Sequence, residues 1–233
     1  MFKRRREAEV PPEEPSADQV SAPAEAEAPV GRPDGPWDES EDAPEQTRLD
    51  LGSMRVPGKP GMEIRVDLDQ PGGQVVSATC VLREGGLQLQ PYAAPKRSGI
   101  WDEVRAELLD GIVAGGGSAQ ERDGSLGREV LASLDVDVAP GQKARQQVRF
   151  VGVDGPRWFL RAVLTGAAVT DDDVRAELEE VFRGVVVVRG GEPRSPRELL
   201  PLRLPDQEEA APVVEERPSL EPFRRGPEIT EVR

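Results

Sequence analysis

Residues 154–161 hold the most varied chemical groups in this sequence, because two arginines and a carboxylate stand beside aromatic side chains around a Gly-Pro turn. Arginine and tryptophan are enriched among the residues that carry most of the energy of protein interfaces. We therefore predict a candidate interaction surface of four residues, which are Asp154, Arg157, Trp158 and Arg161. A structural interpretation competes with it, because Arg157 and Arg161 alternate with Phe159 and can lie along apolar surface while they pair with carboxylates.

Three adjacent carboxylates at residues 171–173 are candidates to hold a divalent cation. They follow Thr170, however, and acidic side chains in the first turn of a helix complement the helix dipole. We predict that Thr170 caps this helix by accepting from the Asp173 amide. A calcium loop needs ligands at alternating positions and a glycine turn, which these residues lack. The pattern therefore predicts a helix start and no metal site.

Two more pairs of carboxylates lie on predicted strands. Asp67 and Asp69 share one strand face, and Asp135 and Asp137 share another. Paired carboxylates can perform acid–base chemistry or bind a metal. Alternation with apolar residues places each pair on the solvent side of its strand, so we expect ordinary surface residues there.

The remaining residue types restrict catalysis further. Residues 115–118 are glycine-rich, but they follow a helix and lack the Gly-Lys-Ser/Thr of a phosphate loop. The chain has no histidine and one cysteine, Cys80, which excludes Ser-His-Asp and Cys-His catalysis and His- or Cys-rich metal centres. Cys80 is in phase with apolar neighbours and is predicted to be a buried thiol. We assign no catalytic residue, no cofactor and no metal, and the residues favour a protein that is not an enzyme.

The net charge of −14 is concentrated at the two ends of the sequence. Residues 1–50 carry 6 Lys/Arg against 14 Asp/Glu, residues 206–233 carry 4 against 8, and the region between carries 20 against 22. The ends are also rich in proline and poor in large apolar residues. We predict acidic disordered tails at 1–50 and 206–233 around one domain at 51–205.

This charge distribution also restricts partners and location. Non-specific binding of nucleic acid needs clustered Lys/Arg, so we expect no nucleic-acid partner, whereas acidic tails suit a basic protein. The sequence has no run of about 18 apolar residues, which a membrane span needs, and no apolar segment behind its basic start. A single cysteine fits a reducing compartment, and we predict a cytoplasmic protein.

The apolar periodicity predicts an α+β fold. Predicted strands lie at residues 62–69, 74–83, 87–90, 119–123, 128–138, 147–153, 157–165 and 185–188. Predicted helices begin at Ser98 and Thr170 and end at Gly115 and Gly184, and Pro91 is expected to end the third strand. Strands 147–153 and 157–165 carry apolar residues on both faces, which is typical of central strands. We predict a mainly antiparallel sheet of six or seven strands covered by two principal helices.

Residues 87–95 with 99–104, residues 148–161 and residues 197–205 carry a resemblance to known proteins. Together they resemble an actinobacterial family of uncharacterised proteins, defined only as a domain of unknown function, over about residues 50–205. This resemblance implies an actinobacterial cytoplasmic protein and no particular activity. The order of elements is also similar to the Mog1/PsbP-like α/β/α sandwich, an architecture that does not specify a function.

Three functional hypotheses follow from these residues, and the third, nucleic-acid binding, would need a basic stripe on the nearly neutral central region. The first is a non-enzymatic protein-interaction or adaptor domain that uses residues 154–161 and its acidic tails, with an unidentified partner and an undetermined oligomeric state. The alternative is a small-ligand-binding protein, or an enzyme without histidine, in which Arg157 or Arg161 converges with a carboxylate in a concave pocket.

Overall fold

A computed structural model describes residues 32–69, 73–96, 100–139 and 142–204. The strands are β1 (Trp37–Asp38), β2 (Arg48–Asp50), β3 (Met54–Pro57), β4 (Met62–Leu68), β5 (Val75–Leu82), β6 (Gly85–Ala93), β7 (Ser118–Gly124), β8 (Gly127–Ala139), β9 (Gln142–Gly155), β10 (Trp158–Gly166) and β11 (Val186–Val187). The helices are α1 (Ile100–Ala114), α2 (Ala167–Thr170) and α3 (Asp172–Arg183).

The strands form two sheets. The large sheet has seven strands in the order β4-β5-β6-β10-β9-β8-β7, and each neighbouring pair is antiparallel. The small sheet has the order β1-β11-β3-β2, in which β1 and β11 are parallel and the other pairs are antiparallel. The predicted α+β fold with a mainly antiparallel sheet is therefore confirmed.

Alternate residues of β10 contribute to two separate apolar clusters. Trp158, Leu160 and Leu164 belong to the cluster that contains Leu178 and Phe182 of α3. Phe159 and Val163 belong to the cluster that contains Trp101 and Ile112 of α1. Successive side chains of a strand point to opposite faces, so the two clusters lie on opposite faces of the sheet at β10. The prediction that this strand is apolar on both sides is confirmed.

The predicted tail at residues 1–50 is wrong for the segment that contains β1 and β2. The amide of Trp37 donates to the Val185 carbonyl over 2.8 Å, and Leu49 of β2 is in register with Val56 of β3. The partner of β1 is β11, far along the chain, and the partner of β2 lies just beyond the predicted tail, so the composition of residues 1–50 gave no sign of either pairing. Residues 1–31 and 206–233, where the rest of the predicted tails fall, lie outside the described residues.

Pro91 lies inside β6 and does not end it. Pairing with β5 stops at Leu89, and Pro91 is in register with Leu160 of β10. Its carbonyl accepts from the Leu200 amide over 2.9 Å. The amide and carbonyl of one strand residue point the same way, so the missing proline N–H removes no bond to β10.

The cap of α3 is Asp171 and not the predicted Thr170, which ends the short helix α2. The Asp171 Oδ1 atom accepts from the amides of Asp173 and Val174 over 2.9 and 3.2 Å. Thr170 has a helical backbone because it is the last residue of α2. The non-helical residue that can cap α3 is therefore the next one, Asp171. The capping role predicted for these carboxylates is confirmed, with the residue corrected. The other predicted helix start, Ser98, lies outside the described residues.

Candidate ligand-binding cleft

Trp158, a member of the predicted interaction surface, is a core residue. Its side chain is 0% exposed, and its indole Nε1 donates to Oδ2 of Asp38 over 2.7 Å. The guanidinium carbon of Arg32 lies 5.1 Å from the centre of the indole ring. The segment that covers Trp158 is the one that composition assigned to a tail. Trp158 therefore cannot contact a partner from the folded surface, and its place in that prediction is wrong.

Asp154 positions a helix. Its Oδ2 atom accepts from the amide of Trp101 over 3.3 Å, in the first turn of α1. A carboxylate at this end of a helix satisfies an amide that has no partner within the helix and complements the helix dipole. Asp154 comes from β9, so this contact ties α1 to the large sheet.

Arg157 and Arg161 occupy different environments. Arg157 is exposed at the β9–β10 turn and has a positive φ of 63°. Arg161 is half-buried, and its guanidinium carbon lies 5.5 Å from the centre of the Phe150 ring. The structure therefore places the four predicted residues in a turn, a helix cap, a core and a sheet face, and does not gather them into one surface.

A concave site occurs elsewhere, between the β7–β8 hairpin and the first turns of α3. This cleft has a volume of about 390 Å³. Its lining residues are Arg122, Asp123, Gly124, Ser125, Glu129, Arg149, Asp172, Arg175, Ala176 and Glu179. Charged side chains from four elements, β7, β8, β9 and α3, thus meet in one depression, as the ligand-binding hypothesis requires, although the arginines differ from those it named.

A buried ion pair forms the floor of the cleft. Glu129 of β8 is 2% exposed and Arg149 of β9 is 7% exposed. The Nη1 atom of Arg149 donates to Oε1 of Glu129, and its Nη2 atom donates to the Val169 carbonyl over 3.3 Å. A Cβ atom at Gly124 would lie 2.7 Å from Oε2 of Glu129, so a larger residue there would displace the carboxylate. Buried charges of this kind must be paired, because desolvation costs several kcal/mol for each ion.

A second group of charges connects α3 to the hairpin. The hydroxyl of Ser125 donates to Oε2 of Glu179, and Nε of Arg175 lies 3.8 Å from Oε1 of the same carboxylate. The Nη2 atom of Arg175 also donates to Oδ1 of Asp172. Arg183 approaches Glu179 at 4.0 Å and donates to the Ser125 carbonyl over 3.1 Å. Glu179 is 6% exposed, and Ser125, Arg175 and Arg183 hold its carboxylate from several sides.

Some arginine donors of the cleft have no acceptor. Its four carboxylates, Asp123, Glu129, Asp172 and Glu179, each have an arginine or serine partner. Among the described residues, Nε of Arg149 and Nη1 of Arg175 have no acceptor, and Arg122 has no carboxylate within 4.0 Å. A guanidinium has five N–H donors and no acceptor, so these unused groups match a ligand that supplies oxygen acceptors.

Sequence reasoning missed these residues. Arg149 interrupts an apolar run in a strand that is buried on both faces, and Glu179 adjoins Leu178 on the inner stripe of α3. A charge at a position whose neighbours are buried must have a partner, and that was the available signal. The identity of the partners depends on the register of β8 with β9 and on the position of α3.

The other sequence candidates have structural roles or no assigned role. Cys80 is buried as predicted, and burial raises the pKa of its thiol to about 12. Asp67 accepts hydrogen bonds from neighbouring strands and is half-buried.

No group of three or more Cys, Asp or Glu side chains able to hold a metal ion occurs in the described part of the chain. Within that same part, no helix is long and apolar enough to cross a membrane.

The fold and cleft define an α+β domain with a mainly antiparallel sheet and a charged, arginine-bearing depression. The chain belongs to the family described as "Protein of unknown function (DUF3710)", whose model matches residues 35–211. The predicted membership of an uncharacterised family is thus confirmed, and its match begins before residue 50. The actinobacterial origin stays a prediction.

Other comparisons add little. No curated protein matches the chain. The solution structure of cyanobacterial PsbP (CyanoP) from Synechocystis sp. PCC 6803 is similar at 12% identity and a TM-score of 0.34. That similarity covers 58% of this chain and 86% of the PsbP chain. A similarity at this level supports no conclusion about the fold or the function of this chain.

Proposed function

We propose that this protein is a non-enzymatic, cytoplasmic binding domain whose cleft takes an anionic group, a carboxylate or a phosphate, from its ligand. This is the small-ligand alternative from the sequence, moved to a different set of residues. In this proposal the large sheet is a scaffold covered by α1 and α3, the two principal helices.

The surplus of arginine donors in the cleft carries the proposal. Arg149 is more than nine-tenths buried and still has a free Nε donor among the described residues, and Arg175 has a free Nη1 donor. An unsatisfied buried donor costs about 1–3 kcal/mol. A ligand oxygen that accepts from either group after a small side-chain rotation would recover that energy, which a fully paired ion network would not offer.

The same geometry favours binding over catalysis. General acid–base chemistry needs a carboxylate free to exchange a proton with the substrate. Glu129 already accepts from Arg149, and Glu179 already accepts from Ser125. These contacts instead suit a fixed electrostatic environment that holds a charged group.

Nuclear magnetic resonance titration tests this proposal, with acetate and inorganic phosphate as probes. Binding in the cleft is expected to shift the amide signals of Gly124, Ser125 and Ala176. Arg122→Gln is expected to weaken binding of the probes at least about tenfold, because a charge-assisted hydrogen bond contributes about 1.5–3 kcal/mol. Arg65→Gln is the matched control, since Arg65 also lies on an edge strand but on β4, at the opposite end of the sheet. If neither probe shifts the three amides, the cleft does not bind anions and the proposal fails.

A second function, protein interaction, is favoured by the backbone of Arg157. This exposed residue has a positive φ of 63°, a conformation in which a non-glycine residue is strained. Strained residues are concentrated at functional sites. We propose that Arg157 contributes to a partner-binding surface at the β9–β10 turn. Arg157→Gln should abolish capture of a partner protein by the full chain, whereas Arg122→Gln should not. Unchanged capture by Arg157→Gln would contradict a role for this turn.

A further inference from the structure

We infer that the cleft binds a phosphate monoester carried by a small polar molecule of the sugar- or polyol-phosphate class. This inference rests on the proposed function and makes its ligand specific.

The separate origins of the three lining arginines favour phosphate over carboxylate. Arg122 belongs to β7, Arg149 to β9 and Arg175 to α3, so arginines from three different elements line the cleft. A planar carboxylate is matched by the fork of a single arginine. A phosphate monoester has three strong acceptor oxygens that point in different directions. Donors that converge from separate elements therefore match the tetrahedral group better.

The charge of the lining restricts the ligand to one phosphate. The cleft has three arginines and four carboxylates in its lining. Arg128 and Arg183, which lie outside the lining, pair with Asp123 and Glu179, so five arginines face four carboxylates and leave one positive charge for an anionic group. A polyphosphate or a nucleic-acid backbone needs clustered positive charge, and the carboxylates of this cleft would repel the additional phosphates.

The size and polarity of the cleft indicate the rest of the molecule. Its volume of about 390 Å³ falls within the range of about 300–1,000 Å³ that is usual for small-molecule pockets. Ala176 supplies the one apolar side chain among the lining residues, which also include Ser125 and Gly124. An apolar body would lie against charged groups at a cost, whereas hydroxyl groups can hydrogen-bond to them. The body of the ligand is therefore polar.

The absence of histidine from the sequence makes pH a clean test of phosphate binding. The ionisable groups that face the cleft are arginines 122, 149 and 175 with the carboxylates of Asp123, Glu129, Asp172 and Glu179. Histidine is the side chain whose ordinary pKa lies between pH 5 and 8, and none is present. A phosphate monoester loses its second proton with a pKa of about 6. A change of affinity between pH 5 and pH 8 therefore reports the ionisation of the ligand phosphate.

The experiment is a calorimetric and amide-shift titration of the full chain with glycerol 3-phosphate, methyl sulfate and acetate. At pH 7.5 we expect glycerol 3-phosphate to bind at least tenfold more tightly than either other anion. At pH 5 its affinity should fall roughly tenfold, because about one-tenth of a monoester with a pKa near 6 is then dianionic. The affinities for methyl sulfate, which stays monoanionic, should not change. Arg122→Gln should weaken the binding of glycerol 3-phosphate about tenfold, and Arg65→Gln should leave its affinity unchanged.

The possible failures are distinguishable. If acetate binds in the cleft as tightly as glycerol 3-phosphate, the phosphate inference is overturned while anion binding stands. If none of the three compounds shifts the cleft amides, both proposals are overturned. If a phosphoserine tripeptide binds more tightly than glycerol 3-phosphate, the phosphate belongs to a protein partner, and the assignment to a small molecule is wrong.

Discussion

The indole Nε1 of Trp158 donates a hydrogen bond to Oδ2 of Asp38, and the two residues are 120 positions apart in the sequence. Trp158 begins β10 at the centre of the large sheet, and Asp38 lies in β1 of the small sheet. This bond joins the N-terminal segment to the core, and the parallel pairing of β1 with β11 holds the segment beside it.

Removal of the Asp38 side chain should destabilise the whole domain. Asp38→Ala leaves the buried indole N–H without its acceptor, at a cost of about 1–3 kcal/mol in the free energy of unfolding. Urea denaturation followed by tryptophan fluorescence measures this change. Asp42→Ala is the control, because Asp42 is an exposed carboxylate in the same segment. Equal stability of the two variants would show that the bond does not anchor the segment.

The Glu129–Arg149 pair predicts an asymmetry between single and double replacement. Glu129→Leu leaves the buried guanidinium of Arg149 without its carboxylate and should cost about 3–5 kcal/mol in the free energy of unfolding. The double variant Glu129→Leu with Arg149→Met should recover most of that loss, because an apolar pair of similar volume needs no charge compensation. Denaturant unfolding of the wild type, the single variant and the double variant measures these differences in the free energy of unfolding. A single variant as stable as the wild type would mean that the pair is not buried as described.

Arg157 predicts a stabilising glycine. It occupies the second central position of the β9–β10 turn with a φ of 63°, and glycine adopts this conformation without steric cost. Arg157→Gly should raise the free energy of unfolding by about 0.5–1 kcal/mol, the difference between relieved strain and the greater chain entropy of glycine. Arg157→Ala keeps the Cβ atom and should give no gain. If alanine stabilises as much as glycine, removal of the guanidinium and not the backbone is responsible.

Asp67 predicts a loss of stability in acid. Burial in the sheet opposes ionisation, but hydrogen bonds to its carboxylate outweigh that effect and hold the pKa of Asp67 below its usual value of 3.8. The donors are Ser77, Thr79 and Gln88. The folded pKa is depressed, so this stabilisation is fully present above pH 3.8 and is lost as the pH falls through the folded value.

The measurement is the free energy of unfolding between about pH 2 and pH 5 for the wild type and Asp67→Asn. The variant should lose less stability over this interval than the wild type. Asp69→Asn, at an exposed position two residues further on, should keep the wild-type slope. Parallel curves for the wild type and Asp67→Asn would show that this carboxylate is not stabilised by folding.

The cap of α3 predicts different effects at two adjacent residues. Asp171→Ala removes the acceptor for two amides and should lower the free energy of unfolding by about 0.5–2 kcal/mol. Thr170→Ala, at an exposed position that ends α2, should cost much less. Thermal unfolding of both variants compares them directly. A larger loss at Thr170 would restore the cap predicted from the sequence.

The elements of this protein are largely determined by local sequence. Alternation predicts β4 and β8 because a strand with one covered face needs apolar residues at every second position, and glycines mark where α1 and α3 end. The same periodicity placed Cys80 in the core. These features depend on a residue and its near neighbours, which a single sequence contains.

The site and the N-terminal boundary were decided by tertiary structure alone. Arg149 and Glu179 meet in one cleft because β8, β9 and α3 converge, although the two residues are 30 positions apart. Strand β1 forms because β11, about 150 residues further along the chain, offers it a hydrogen-bonding edge, and β2 forms against β3. A buried charge or a short strand is stable only when its partner is in place, and the complete packing of the chain supplies that partner.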